Sequence, residues 1–137
     1  MYEFKDRQPN KRLIYKTVNG IDLPMDIYLP DNGLTENTRC IVTIHGGGWN
    51  EGITDNSIWD GGRMRYNARY FADKGYIAIA FSYRSLKLND NITVFDILED
   101  CYDAMEYIRG LFYVNYKTLT VIGDSVGGHI ALSLIHI

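Results

Sequence analysis

Two short motifs hold the residue types that nucleophilic chemistry on a carbonyl needs. One is Gly123-Asp124-Ser125-Val126-Gly127-Gly128, a G-x-S-x-G pattern. A serine becomes a useful nucleophile when a tight strand-to-helix turn lifts its hydroxyl clear of the backbone. Glycines two residues to either side leave room for such a turn. The second motif is His45-Gly46-Gly47-Gly48-Trp49. Consecutive glycines let the chain turn sharply and present N–H groups with no side chain in the way. Such groups can hold the oxyanion of a tetrahedral intermediate. Each pattern alone is weak: G-x-S-x-G recurs by chance, and a glycine run is as readily a plain turn. Their weight comes from context.

That context is a run of buried strands alternating with helices. Cys40–Ile44, Tyr76–Phe81 and Leu119–Ile122 are continuous apolar segments, the pattern of parallel strands covered on both faces. The glycine motif follows the first strand and the serine motif the third, at the strand ends where open α/β sheets place their sites. Between the strands, Met64, Ala68, Phe71 and Ala72 share one face of a helix predicted over 62–74, stopped by Gly75. A second helix over 93–109 carries the stripe Val94, Ile97, Leu98, Cys101, Met105 and Ile108. Thr93 with Asp96 reads as its capping box, and Gly110 ends it. Asp96, Glu99, Asp100, Asp103 and Glu106 fall largely off the stripe and read as a solvated face rather than a metal site. Upstream, Leu13–Val18 and Ile21–Leu29 flank Asn19-Gly20, the strongest short hairpin signal. Pro24 cannot donate to a ladder, so an edge or a bulge is expected there. The fold class is therefore α/β: an antiparallel opening hairpin, then a mostly parallel sheet flanked by helices.

Bulk properties narrow the function. The 137 residues suffice for one domain, and 46% apolar with 23% charged residues is ordinary for a core-forming protein. A net charge of −3 gives no attraction to nucleic acid or anionic membrane. No apolar run approaches the roughly 20 residues of a membrane span. Met1–Arg12 lacks the apolar core of a signal peptide, so a cytoplasmic location is expected. Cys40 and Cys101 fall on apolar faces and read as small buried hydrophobes.

From about Leu13 to Ala131 the chain resembles the lipase/esterase branch of the α/β hydrolases. The resemblance is nearest to the hormone-sensitive-lipase-like carboxylesterases and their bacterial acetyl- and feruloyl-esterase relatives. It rests on H-G-G-G-W, G-D-S-V-G-G-H, the hairpin Y-K-T-V-N-G-I-D-L-P-M-D-I-Y-L-P, Ser82-Tyr83-Arg84 and the acidic helix before the serine. It implies a serine hydrolase acting on small-molecule carboxylic esters through an acyl-enzyme. Ser125 would be the nucleophile, and Gly46, Gly47 and Val126 the oxyanion-hole donors; which two of the three glycines donate is left open. No metal or organic cofactor is implied, and the oligomeric state is not. Val126 stands where alanine is more usual, though only its backbone is needed. Tyr83-Arg84 is followed by Ser85-Leu86 without the proline often found nearby, so a substrate wall there is expected to differ. A peptidase or arylformamidase on the same scaffold, or a non-catalytic ligand-binding protein, are the alternative readings.

The remaining candidates have simpler readings. His45 is expected to order the glycine loop, and His129, one turn after Ser125, to pack or hydrogen-bond. Trp49, Trp59 and Tyr66 are candidates for lining an acyl or alcohol pocket, with packing as the simpler reading. The polar stretch 50–65 reads as a surface loop or a flap. In this fold the triad runs serine, acid, histidine along the chain. Val126–Ile137 contains no Asp or Glu, so the acid and base are expected beyond this sequence, residues 1–131 being the N-terminal portion of one domain and a poor catalyst alone. Leu132–Ile137 matches the in-frame translation of a transposon mosaic-end adapter and is expected to be foreign, which removes His136 from consideration.

Overall fold

The computed structural model describes residues 7–55 and 62–135, with the side chains of 62–66 left aside. The hairpin forms as β1 (Lys11–Val18) and β2 (Ile21–Tyr28), closed by Asn19 and Gly20, both at positive φ (50° and 78°). That pair of left-handed residues matches the right-handed twist of the flanking strands. β3 (Cys40–Ile44), α1 (Gly62–Asp73), β4 (Ile77–Phe81), α2 (Val94–Arg109), β5 (Thr120–Gly123) and α3 (Val126–Leu134) follow. The sheet order is β1-β2-β4-β3-β5, antiparallel across β1/β2 and β2/β4 and parallel across β4/β3 and β3/β5. The sheet is mixed and flanked by helices, the α/β arrangement that the strand and helix pattern implies. The chain steps from β3 to β4 on one side, then crosses back through α2 to place β5 on the other side of β3. The ends of β3 and β5 therefore lie side by side at a topological switch point, the position that collects ligands in open α/β sheets.

Alternation along each strand sorts the core into two layers. Ile77, Ile79 and Phe81 of β4, with Cys40, Val42 and Ile44 of β3, pack with Ile97, Cys101, Ala104 and Ile108 of α2 and Ile130 of α3. Ala78 and Ala80 face the other way, against Ala68 and Ala72 of α1. Alanines on both sides of that contact let α1 lie close to the sheet. Cys40 and Cys101 are both free and buried, as the sequence suggests. The capping box forms: the Asp96 N–H donates to Thr93 Oγ1, and the Thr93 N–H donates to the Asp96 carboxylate. Gly75, at φ 97°, closes α1. Among the described residues no helix is long and apolar enough to cross a membrane.

Three details differ from expectation. The acidic residues of α2 do not all lie on a solvated face: Asp100 is fully buried. Its carboxylate accepts from Arg84 Nε (2.8 Å) and Nη2 (2.9 Å) and pairs with Lys16 Nζ (2.9 Å). The stripe places Asp100 at its border, and two long cations from β1 and the β4 end reach in to neutralise it, which periodicity on α2 alone cannot reveal. The irregularity expected at Pro24 is carried by the partner strand. Ile14 pairs with Pro24 and Lys16 with Leu23, so Tyr15 is the extra residue of a bulge in β1. Bulges re-aim a side chain; here the Tyr15 hydroxyl donates to the Ser82 carbonyl at 2.6 Å, fastening β1 to the end of β4. β2 itself is an interior strand. Finally, β5 begins one residue later than predicted, after a 3-10 turn over Tyr116–Thr118 started by the Asn115 side chain.

Candidate active site

β5 delivers the chain into a turn whose strain is concentrated on one residue. Ser125 has φ 53° and ψ −116°, a left-sided backbone that a non-glycine residue adopts at a cost of about 1–3 kcal/mol. Its side chain makes no capping hydrogen bond to α3, although it occupies the cap position, and the residue is solvent-exposed. Its carbonyl accepts the N–H groups of Gly128 (2.9 Å) and His129 (3.3 Å), so α3 is wound directly from the serine. Val126 is the first residue of α3, where an N–H has no acceptor within the helix and the helix dipole favours negative charge. The two flanking glycines are required by contact. A Cβ on Gly123 would meet the Gly127 carbonyl at 2.1 Å, and one on Gly127 would meet the Ile44 carbonyl at 2.1 Å.

The glycine loop lies directly against this turn. The Asp124 N–H donates to the Ile44 carbonyl at 3.2 Å, tying the serine turn to the last residue of β3. A Cβ on Gly46 would stand 2.5 Å from the Asp124 carbonyl and 3.0 Å from Ser125 Cβ, so only glycine permits this approach. Gly47, Gly48 and Trp49 follow with φ of 111°, 60° and 69°. Gly46, Gly47, Ser125 and Val126 are thus brought to one place at the switch point. What the arrangement offers is an exposed hydroxyl beside the first residue of α3 and the backbone of the glycine loop, with the Glu51 side chain lying against Gly47.

The loop is held from behind. His45 is buried, stacks on Tyr83 (centroids 4.4 Å apart, 11° between planes), and sets Nε2 2.9 Å from Ser82 Oγ and Nδ1 2.8 Å from the Gly46 carbonyl. Burial pushes its pKa below the ordinary histidine value, so the ring is neutral at physiological pH. His45 therefore orders the loop and has no nitrogen left to serve as a base. The chain after the loop doubles back along the β4 end: Ile53 N–H to the Tyr83 carbonyl, Ser85 N–H to Ile53, Leu86 N–H to Trp49. His129 is exposed, with Trp49 edge-to-face against its ring at 5.8 Å. Trp59 and His136, and the Tyr66 side chain, lie outside the described residues, as does much of the 50–65 stretch. A concavity of about 520 Å³ between α2, β5 and α3, walled by Tyr102, Met105, Val121 and Ala131, does not include Ser125. Ser82 and Tyr83 back the glycine loop, a task beyond the substrate wall that the sequence suggests there; their position just past the end of a buried strand is the available signal.

The BD-FAE family model, of α/β-hydrolase-type esterases, matches residues 25–135, a span that contains both the glycine loop and the Ser125 turn. The chain belongs to this family. Solved structures agree. Thermogutta terrifontis esterase Est2 in its propionate-bound form is 30% identical with a TM-score of 0.73, over 88% of this chain and 43% of that one. The same esterase phosphonylated by cyclosarin is 29% identical with a TM-score of 0.73, over 91% of this chain and 46% of that one. Among curated proteins, the non-reducing polyketide synthase atr1 of Stereocaulon alpinum is 26% identical over 129 residues, which is 87% of this chain and 5% of that protein. The polyketide synthase ascC of Acremonium egyptiacum is 28% identical over 131 residues, 88% of this chain and 6% of that protein. The chain thus spans less than half the length of the esterase structures and a small part of the synthases.

Proposed function

We propose that the protein carrying this chain hydrolyses carboxylic esters through an acyl-enzyme on Ser125. The observation that carries the reading is the contact of Gly46 with Ser125: a glycine loop pressed against a serine in a strained turn. In the first half-reaction Ser125 Oγ attacks the ester carbonyl carbon and gives up its proton to a general base. The carbonyl oxygen becomes an oxyanion held by N–H groups of Gly46, Gly47 and Val126. Collapse expels the alcohol, which takes the proton. Water then attacks the acyl-enzyme by the same path, releasing the acid and restoring the serine. His45, fully engaged behind the loop, does not suit the role of base. The base and its acid partner are assigned to the part of the protein that follows this chain, in keeping with the triad order of the fold and with the share of the esterase structures that this chain spans. Short acyl groups are the proposed substrates, because the similar Thermogutta esterase is known in propionate- and butyrate-bound forms.

The test is hydrolysis of 4-nitrophenyl propionate by the full-length protein. Ser125→Ala is expected to lower kcat by about 10⁴-fold or more, the scale set by removing a triad nucleophile. Turnover that survives in Ser125→Ala would show that another group does the chemistry.

A further inference from the structure

The geometry points to Tyr83 as a positioning residue that aims the Gly46 N–H at the oxyanion. The Tyr83 hydroxyl donates to the His45 carbonyl at 2.7 Å. That carbonyl and the Gly46 N–H belong to one planar peptide and point in opposite directions across it. Fixing the oxygen therefore fixes the direction of the N–H. The anchor is itself rigid: Tyr83 is fully buried, its ring lies flat on the His45 imidazole, and its own carbonyl accepts the Ile53 N–H at 2.7 Å. Burial pushes the Tyr83 pKa up, so the hydroxyl keeps the proton it donates.

The next peptide is held by the same device. His45 Nδ1 lies 2.8 Å from the Gly46 carbonyl, which can only accept, so Nδ1 carries the proton and Nε2 accepts from Ser82 Oγ. The Gly46 carbonyl shares its peptide with the Gly47 N–H. The two candidate donors of the glycine loop, Gly46 and Gly47, are thus set from their carbonyl sides, one by Tyr83 and one by His45. Preorganisation of this kind matters most in the transition state, when the oxyanion has formed and donors that must first reorient are of little use. The inference rests on the serine-esterase reading above, and its effect belongs to kcat rather than to substrate binding.

The test uses the full-length protein and 4-nitrophenyl propionate. Tyr83→Phe keeps the stacked ring and removes the donor. It is expected to lower kcat about 10-fold or more while KM stays within about 2-fold, a misaimed donor costing less than the 10²–10³ of a deleted one. Tyr15→Phe removes a hydroxyl-to-carbonyl bond of the same kind, on Ser82, and is expected to keep kcat within about 2-fold while costing similar thermal stability. To separate aiming from folding, position 83 is also filled with 4-aminophenylalanine, which retains a donor, and with 4-methylphenylalanine, which has the same size and none. The amino variant is expected to recover kcat and the methyl variant to behave as Tyr83→Phe. Wild-type kcat in the Phe and methyl variants, or an equal loss in Tyr15→Phe, overturns the inference. Surviving turnover in Ser125→Ala would instead overturn the esterase reading beneath it.

Discussion

Gly127→Ala tests whether the serine is placed by the contact between α3 and the end of β3. A Cβ at this position would lie 2.1 Å from the Ile44 carbonyl and 2.8 Å from the His45 carbonyl, where ordinary contact begins at 3.4 Å. Both obstacles are backbone, so no rotamer change relieves them; strand and helix must part by about an ångström. Ser125 is two residues away on the same rigid turn and moves with the helix. Overpacking of this kind costs typically about 1–3 kcal/mol, partly offset by the roughly 1 kcal/mol that alanine gains over glycine inside a helix. The net loss of stability is therefore modest, about 0–2 kcal/mol by that difference. The loss of activity is larger, because a misplacement of about 1 Å at a reacting group can cost on the order of 10²-fold. Urea denaturation and hydrolysis of 4-nitrophenyl propionate, both on the full-length protein, read the two effects separately. Gly110→Ala serves as comparison: its φ is −77° and a Cβ would meet only the Tyr107 carbonyl, at 3.4 Å, within 4 Å, apart from Glu106 at 4.0 Å. Gly127→Ala with wild-type turnover would refute the claim that this contact sets the serine.

Two further predictions concern the frame. Asp100→Asn removes the charge that faces Arg84 and Lys16 and leaves the nearly buried Arg84 guanidinium without its counter-ion. The urea midpoint should fall by the equivalent of about 3–5 kcal/mol, the scale for breaking a buried pair; an unchanged midpoint would mean the cluster is not structural. Thr93→Ala should cost about 1 kcal/mol through loss of the cap. Hydrogen bonds from Thr93, its N–H first, hold the Asp96 carboxyl below its ordinary pKa. A depressed carboxylate stabilises fully above the unfolded value, about pH 4, and its contribution is lost as pH falls through the lower folded value. The difference between wild type and Asp96→Asn should accordingly be constant near neutrality and shrink in acid; a difference that grows on acidification would contradict the capping-box account.

The sheet and helices were legible because their signals are local and redundant. The Asn19-Gly20 turn, the apolar runs at β3 and β4, and the stripe and capping box of α2 each specify one conformation without help from elsewhere. The serine turn was legible for the same reason: Gly123 and Gly127 are needed by contacts made within a few residues and with the neighbouring strand end. What stayed hidden depends on pairs distant in sequence. Asp100 reads as solvated until Arg84 and Lys16 are seen to reach it. Tyr15 reads as one more strand residue until Pro24 forces the register to shift beside it. Tyr83 and Ser82 show no pattern of their own; their role comes from β4 lying beside β3, which brings them behind His45. Sheet order is the information that local periodicity lacks.

The most direct measurement is the site of covalent modification. The full-length protein is treated with a fluorophosphonate, digested, and the adduct located by tandem mass spectrometry. The account predicts a single phosphonyl adduct on Ser125, blocked by prior denaturation, because the hydroxyl reacts only where the turn, the glycine loop and the base converge. An adduct on another serine, or equal labelling of the native and the denatured protein, would contradict it.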